Sequence, residues 1–296
     1  MNYRHAFHAG NFADVVKHAT LVRILVHLCG KPAPFRVIDT HAGGGRYDLF
    51  GPEAMRGAEW RDGIGRVYGA PLDPAVQPLL APYLAIVTAC NPTDRLGVYP
   101  GSPAIVRSFL RAQDRLVACE LEPGAAAVLK HNFGHDRRIK MLALDGWTAL
   151  NAGVPPKERR GLVLIDPPYE DAGDFPGLVR HLQAAHRKWA SGIYLLWYPI
   201  KQRQRHEALL RELRRSGIAN ILSAELSVAP AQVSGQKPAL GSSEDPGRLA
   251  GCGLVVVNPP WTLERELELM LPPLAAILSG AGGGGEAHVM WLAGER

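Results

Sequence analysis

The chain has 296 residues, of which 47% are hydrophobic and 21% are charged, and this composition excludes a disordered chain. The formal net charge of +5 fits a nucleic-acid partner but does not require one. No apolar run approaches the roughly 20 residues of a membrane span, and the amino terminus has no signal-peptide core, so we expect a cytoplasmic protein. The four cysteines are widely separated and form no C-x-x-C pair, so we expect free thiols and no metal site.

The first third of the chain begins with a helical pattern that gives way to a strand and a glycine-rich turn. Apolar residues recur at helical spacing over residues 11–29, and Gly30 closes that segment. Residues 35–39 predict a short strand, and residues 40–46 a glycine-rich turn. Residues 48–110 hold proline-punctuated helical pieces and no strong strand. We therefore predict a small helical insertion subdomain over residues 48–110.

Beyond the insertion, short apolar strands alternate with helical stretches. Further strands are predicted at residues 116–120, 139–145, 161–165, 192–197 and 253–258. Intervening helices are predicted at residues 125–132, 177–190 and 203–215. This alternation is typical of a doubly wound α/β sheet, here formed by residues 1–47 and 111–296. Residues 288–292 are expected in an edge hairpin strand, and residues 230–251 in a surface loop.

The most informative motif is Asp166-Pro167-Pro168-Tyr169, which follows an apolar run at residues 162–165. Prolines cannot donate to a sheet, so the strand ends here, at the edge where open α/β sheets place their sites. The amine of a nucleobase has two N–H donors, which Asp166 and the Pro167 carbonyl can accept. Such acceptors favour the charge that develops as the amine attacks an electrophile, and Tyr169 can stack on the base. A simple proline turn with a solvated Asp166 is the alternative interpretation.

This tetrapeptide resembles the motif of S-adenosylmethionine-dependent enzymes that methylate adenine N6 or cytosine N4. Residues 3–18 resemble the opening of the RlmJ family, bacterial enzymes that methylate one adenine N6 in 23S ribosomal RNA. The likeness continues through residues 39–43, 99–103, 166–169, 197–199 and 258–261. It covers nearly the whole chain in order. The resemblance implies a Rossmann-like class I methyltransferase fold, S-adenosyl-L-methionine as cofactor and 23S rRNA as substrate.

Within such a fold, glycines after the first strand let the cofactor approach the backbone, and Gly43 begins a triplet that suits this role. Glu120 ends the next predicted strand and is placed to accept from the ribose hydroxyls. An uninterrupted fold places this acid about 20 residues after the glycines. Here the separation from Gly43 is 77 residues, so the interpretation depends on the insertion. Asp145 ends the third strand, where it can accept from the cofactor's adenine amine, and Gly146 leaves room for the ring.

The resemblance also assigns individual contacts. Cofactor contacts fall on His18, His41, Ser102, Glu120, Asp145, Gly146 and Asp166. Lys17 and His18 are placed to hold the methionine carboxylate, and substrate RNA is expected against Tyr3. The motif Asn258-Pro259-Pro260-Trp261 resembles a second amino-methyltransferase motif. We interpret it as a structural echo, because Asp166 ends the strand expected to face the methyl group.

We therefore expect an enzyme that methylates a specific adenine N6 in 23S rRNA, with the target base unstacked and no metal. Two alternatives stay open: a DNA adenine N6-methyltransferase, and a catalytically silent RNA-binding factor in ribosome assembly. Several basic clusters suit an RNA partner, at residues 137–138, 157–160, 201–205 and 211–215. Because they are separated and the base must be extruded, we expect protein-free or early-assembly rRNA as substrate, bound by a monomer.

Overall fold

The computed structural model describes residues 5–93, 95–169, 174–201, 203–228, 249–280 and 284–294. Tyr3 and residues 230–248 of the predicted loop lie outside the described residues. The strands are β1 (Arg36–Asp39), β2 (Arg46–Asp48), β3 (Val98–Pro100), β4 (Arg115–Cys119), β5 (Ile139–Leu142), β6 (Gly161–Ile165), β7 (Ile193–Ile200), β8 (Ile221–Ser227), β9 (Gly251–Val257) and β10 (Glu286–Ala293).

Helices connect these strands and cover the sheet. They are α1 (Phe12–Cys29), α2 (Pro52–Gly57), α3 (Ile64–Val67), α4 (Gln77–Ala89), α5 (Ser102–Phe109), α6 (Pro123–Phe133), α7 (Gly146–Gly153), α8 (Asp174–Lys188), α9 (Arg203–Arg215) and α10 (Leu263–Ser279). Two short 3-10 helices span His5–Phe7 and Glu59–Arg61. In the part of the chain that the structure describes, no helix combines the length and apolarity that crossing a membrane requires.

The main sheet has the strand order β10-β8-β9-β7-β6-β1-β4-β5. The five strands β5, β4, β1, β6 and β7 run parallel to one another. Their carboxyl ends therefore share one edge, called here the carboxyl edge, and their amino ends share the opposite amino edge. β9 runs antiparallel to both β7 and β8, and β10 runs antiparallel to β8.

Strand β6 lies in the interior of the sheet, between β7 and β1, and all five of its residues are buried. Leu162 and Leu164 pack into the core on one face of the sheet, which includes residues of α1, α5 and α10. Val163 and Ile165 pack into the core on the other face, with residues of α7, α8 and α9. Burial on both faces explains why this strand reads as a continuous apolar run rather than an alternating one.

The structure confirms the predicted α/β class and corrects three details. The segment 48–110 contains β3, which pairs with β2 in a separate two-stranded antiparallel sheet, so it is not purely helical. The alternation missed β8, five of whose seven residues are buried. The predicted edge strand is present as β10, but it pairs with β8 rather than with the strand that precedes it in sequence.

Candidate active site

A cavity of about 590 Å³ opens at the carboxyl edge of the sheet, a volume that suits a nucleotide-sized ligand. Every residue predicted to contact the cofactor lines it: Lys17, His18, His41, Gly43, Ser102, Glu120, Asp145, Gly146 and Asp166. These residues come from α1, from α5 and from the turns that follow β1, β4, β5 and β6. The parallel topology brings them together, because each turn leaves the sheet at the same edge.

The glycine turn after β1 is held against the end of β4. Glu120 accepts a hydrogen bond from the Gly43 backbone N–H through Oε2 at 2.8 Å, and one from the Glu122 N–H through Oε1 at 2.8 Å. Gly43 has φ +59, and a Cβ there would stand 2.1 Å from the Tyr47 hydroxyl. The turn therefore requires glycine, and Glu120 lies beside it across the 77 intervening residues. Each carboxylate oxygen keeps a further lone pair that can face the cavity.

A buried acid behind the cavity wall was not among the predicted site residues. Asp39 ends β1, is wholly buried, and accepts a 2.7 Å hydrogen bond from the Ser102 hydroxyl through Oδ2. Its Oδ1 is buried and has no hydrogen-bond donor among the described residues. Burial raises the pKa of this carboxyl from 3.8 to about 7, against the opposing effect of the Ser102 hydrogen bond. Its sequence signal is the one that identified Asp166 and Glu120, an acid at the end of an apolar strand.

The Lys17 ammonium lies between two carboxylates. It forms an ion pair with Asp166 and another with Asp14 Oδ1 at 2.8 Å, and its side chain is only 5% exposed. Burial alone would lower the pKa of Lys17, but the two carboxylates outweigh it and raise that pKa well above its ordinary value. Lys17 is thus engaged with Asp166 and also lines the cavity, and its predicted contact with the methionine carboxylate stays a prediction.

Asp14 is a second residue that the sequence analysis missed. It is buried on the first turn of α1 and accepts from the Gly10 backbone N–H at 2.9 Å and from His5 Nε2 at 3.1 Å. Burial acts to raise its pKa, but Lys17 and His5 hold that pKa well below the usual range. The sequence signal that could have identified Asp14 is an acid and a base at i, i+3 spacing, Asp14 and Lys17, on a predominantly apolar helix.

Two histidines line the cavity as neutral rings. Burial lowers the pKa of His18 to about 3 and that of His41 to about 4. His18 Nδ1 lies 2.8 Å from the Tyr99 hydroxyl, and the two rings stack at 5.5 Å. Thr40 donates its hydroxyl proton to the Leu164 carbonyl at 3.0 Å, so it must accept from His41 Nδ1 at 2.8 Å. The Nε2 atom of His41 then carries a lone pair.

The turn after β5 forms another part of the wall. Asp145 caps α7, with Oδ2 accepting from the Thr148 backbone N–H at 2.8 Å and from its hydroxyl at 2.9 Å. Its second oxygen has no hydrogen-bond donor among the described residues and can accept from a ligand. A Cβ on Gly146 would stand 2.3 Å from the Thr40 carbonyl oxygen and 2.9 Å from His41 Cε1. The glycine is therefore required by close packing against β1, not only by the room that a ligand ring needs.

The tetrapeptide after β6 divides between the cavity and the protein interior. Asp166 and Pro168 line the cavity, whereas Pro167 is buried. The Tyr169 hydroxyl donates to the Trp197 backbone carbonyl, and its ring contacts those of Phe175 and Trp197 at 5.1 and 5.7 Å. Tyr169 is therefore fixed by neighbouring aromatics beside the cavity and not within its wall.

The second proline motif lies far from this cavity. Asn258 follows β9, and β9 runs antiparallel to β7, so the motif emerges at the amino edge. The Asn258 side-chain amide donates to the carbonyls of Ala190 and Gly192, each at 2.7 Å, which anchors it beside the start of β7. Asn258 to Trp261 is thus separated from Asp166 by the length of the sheet.

Comparisons with known proteins agree with this architecture. Residues 32–293 match the family model described as "Ribosomal RNA large subunit methyltransferase D, RlmJ". The chain belongs to the RlmJ family. It is 40% identical over 295 residues to "Ribosomal RNA large subunit methyltransferase J" of Escherichia coli (strain K12), covering all of both chains. It is 38% identical to the protein of the same name from Haemophilus influenzae, again over the full length of both.

A solved structure supports the RlmJ-family fold. A crystal structure of a Legionella pneumophila protein superposes with a TM-score of 0.83 at 31% sequence identity, covering 98% of this chain and 99% of that one. Among the described residues of this RlmJ-family chain, no cluster of three or more His, Cys, Asp or Glu is arranged to hold a metal. The polar groups of the site are the Asp14–Lys17–Asp166 ion pairs, Asp39 at the end of β1, and the acids Glu120 and Asp145 in the turns after β4 and β5.

Proposed function

We propose that this RlmJ-family protein transfers a methyl group from S-adenosyl-L-methionine to N6 of a specific adenine in 23S ribosomal RNA. The names of the full-length relatives from Escherichia coli and Haemophilus influenzae support a ribosomal RNA substrate. The observation that carries the proposal is the position of Asp166, which lines the carboxyl-edge cavity directly after β6 and beside Lys17. An acceptor held there, next to a proline turn, suits an exocyclic amine.

The hydrogen-bond acceptors that line the cavity fit S-adenosylmethionine. The cofactor presents ribose hydroxyls, an adenine amine and an ammonium, all of them donors, and supplies an electrophilic methyl group when bound. Glu120 and Asp145 are acceptors that line the cavity on neighbouring turns. Glu120 would hold the ribose hydroxyls, and the open oxygen of Asp145 would accept from the adenine amine. Ser102 and the neutral rings of His18 and His41 would contact the methionine end.

The residues around Asp166 would orient the target amine. Asp166 and the Pro167 carbonyl would each accept one of its N–H groups, which favours the positive charge that develops on nitrogen. Lys17 holds the Asp166 carboxylate in place through a buried ion pair, itself fixed by Asp14. The proton then leaves to Asp166 or to water. Most of the acceleration in this scheme comes from positioning.

An adenine in a duplex cannot reach this cavity, so the base must leave its stack. Tyr169 would then offer its ring to the extruded base, with its orientation fixed by the hydroxyl bond to Trp197. We further propose that residues 48–110 form a subdomain that shapes the cavity mouth, since Pro52 and Ala54 line the same cavity. The protein would act as a monomer in the cytoplasm, on rRNA that is not yet fully assembled.

The test is methyl transfer from tritiated S-adenosylmethionine to protein-free 23S rRNA and, side by side, to duplex DNA. We expect labelling of the rRNA alone. Asp166→Asn removes one preorganised acceptor while keeping the side-chain shape, and kcat should fall by about a hundred- to a thousandfold. Glu122→Gln is the matched control, because this cavity-lining carboxylate caps α6 through the Gly124 and Ala125 N–H groups. Labelling of DNA in preference to rRNA, or full activity in Asp166→Asn, would contradict the proposal.

A further inference from the structure

The amino edge of the sheet, opposite the active site, carries a row of exposed cations. Arg137 precedes β5, Lys31 lies between α1 and β1, Lys157 and Arg159 precede β6, and Arg187 lies near the end of α8 before β7. All five side chains are exposed. Because the strands are parallel, every one of these connecting segments lies on the same edge.

Neighbouring arginines at this edge have structural roles that the five cations lack. Arg111 donates to the Lys31 and Ala33 carbonyls and pairs with Asp114, and Arg160 donates to the Leu28 and Ala33 carbonyls. These bonds tie the segments that precede β1, β4 and β6 into one continuous surface. Among the described residues, none of the five exposed cations forms an ion pair with an acid. Their charge is therefore available to an external partner.

Trp261 adds an aromatic side chain to the same edge. Asn258 anchors its motif to Ala190 and Gly192, immediately before β7. The Trp261 side chain is 86% exposed, the largest exposure among the exposed large hydrophobic residues of the described chain. Leaving the apolar surface of an indole ring in water to this extent is unfavourable, and a partner that covers the ring would remove this free-energy cost. Exposed aromatic rings beside cations are the combination that binds unpaired nucleobases and their phosphates.

The backbone at Arg159 supports a functional role for this residue. Its φ is +53, in the left-handed region that glycine and asparagine adopt at least cost. Side chains held in such conformations cluster at binding sites, where the surrounding structure compensates for the strain. An exposed arginine without an acidic partner gives the fold no visible benefit there that glycine would not give.

We propose that the amino edge, formed by Lys31, Arg137, Lys157, Arg159, Arg187 and Trp261, is a second RNA-binding surface that holds the substrate rRNA away from the methylated base. The proposal rests on the proposed function for its choice of RNA. In the order of the sheet, six neighbouring strands run from β5 through β4, β1, β6 and β7 to β9. At the usual strand spacing they span roughly 24 Å along this edge. The five residues of β6 separate the two edges by roughly 16 Å. An RNA that reaches both must extend well beyond the stem that carries the target adenine.

The experiment compares the wild type with the triple variant Arg137→Glu/Lys157→Glu/Arg159→Glu on two RNAs. One is protein-free 23S rRNA, and the other is the shortest nested fragment that the wild type still methylates. For full-length rRNA we expect KM to rise about tenfold or more and kcat to stay unchanged. The slope of log KM against the logarithm of salt concentration should be smaller than that of the wild type by about two to three. For the short fragment both constants should stay near the wild-type values, since it does not reach the amino edge.

Charge and stacking are separated by two further variants. The control Arg61→Glu/Arg95→Glu/Arg180→Glu makes the same change in net charge at exposed positions outside the basic clusters and away from Trp261, and it should leave the rRNA KM within about twofold of the wild type. Trp261→Ala should weaken full-length rRNA binding by roughly tenfold without changing the charge. Arg159→Gly should keep or raise Tm while it weakens the same binding, because it relieves the positive φ.

The outcomes distinguish the two proposals. If the wild type does not methylate 23S rRNA, the proposed function fails, and binding of unmodified 23S rRNA by the same variants still tests the amino edge. If the wild type is active but the triple variant and its control have equal KM values for full-length rRNA, the amino-edge proposal is overturned. Equal losses on the long and the short RNA would also overturn it, because they would place these cations at the active site.

Discussion

Replacing Asp39 by Asn should make the protein more stable, and more so as the pH rises. The wild-type carboxyl is wholly buried and shares one hydrogen bond with Ser102, while its Oδ1 lacks a donor among the described residues. Burial raises its pKa from 3.8 to about 7, and the nearby Asp166 carboxylate acts in the same direction. The Ser102 hydroxyl and the Lys17 ammonium act against it.

The sign follows from proton binding. Between pH 4 and 7 the folded state holds a proton on Asp39 that the unfolded chain has lost, so the wild type loses stability as the pH rises through this range. Each pKa unit corresponds to about 1.4 kcal/mol, so the full effect approaches about 4 kcal/mol above pH 7. Asn cannot ionise and still offers an oxygen to the Ser102 hydroxyl. Its advantage over the wild type should therefore grow by about 2–3 kcal/mol between pH 5 and pH 8.

Thermal unfolding of both proteins at pH 5, 6, 7 and 8, followed by circular dichroism, measures this difference. For a chain of this size the change corresponds to roughly 4–8 °C in the Tm difference. Asp73→Asn is the control, because the side chain of this exposed loop acid accepts, among the described residues, only a local bond from the Ala75 N–H. It should shift Tm equally at every pH. A Tm difference for Asp39→Asn that is constant or shrinks as the pH rises would refute the reasoning.

Three other predictions concern the cofactor site and the substrate. Glu120→Ala should weaken S-adenosylhomocysteine binding by about 1.5–3 kcal/mol in calorimetric titration and leave RNA affinity unchanged, whereas equal cofactor affinity would place the ribose elsewhere. Gly146→Ala should lower stability by about 1–3 kcal/mol, because the new Cβ would stand 2.3 Å from the Thr40 carbonyl. Gly177→Ala, whose Cβ meets nothing closer than 4.0 Å in α8, should be neutral or stabilising in the same unfolding assay. Protein-free 23S rRNA should be labelled faster than intact large subunits, and labelling should fall as salt rises; faster labelling of intact subunits would exclude an early substrate.

Much of the fold follows from local sequence signals. An apolar run stopped by two prolines identifies β6 and its carboxyl end. Both signals are local, because a strand buried on both faces is apolar throughout and a proline has no N–H to donate to the sheet. The same logic placed Glu120 directly after β4 and predicted Asp145 as the end of β5, which in the structure ends three residues earlier, at Leu142. Parallel topology then brings these ends together, so the predicted cofactor residues line one cavity. The strand β8 escaped prediction because its seven residues include two serines and a glutamate and do not form a continuous apolar run, although Gly217 and Asn220 precede it.

Only the tertiary structure decided which of these groups touch. The sequence does not show that Lys17 pairs with Asp166 across 149 residues, or that Asp39 is buried behind Ser102, since both depend on how α1 and α5 pack against the sheet. Nor does it show that Asn258 to Trp261 emerges at the edge opposite Asp166. Two similar motifs each follow an apolar strand, but β6 and β9 run in opposite directions. The sequence determined where strands end, and the packing of the whole chain determined which way each end faces.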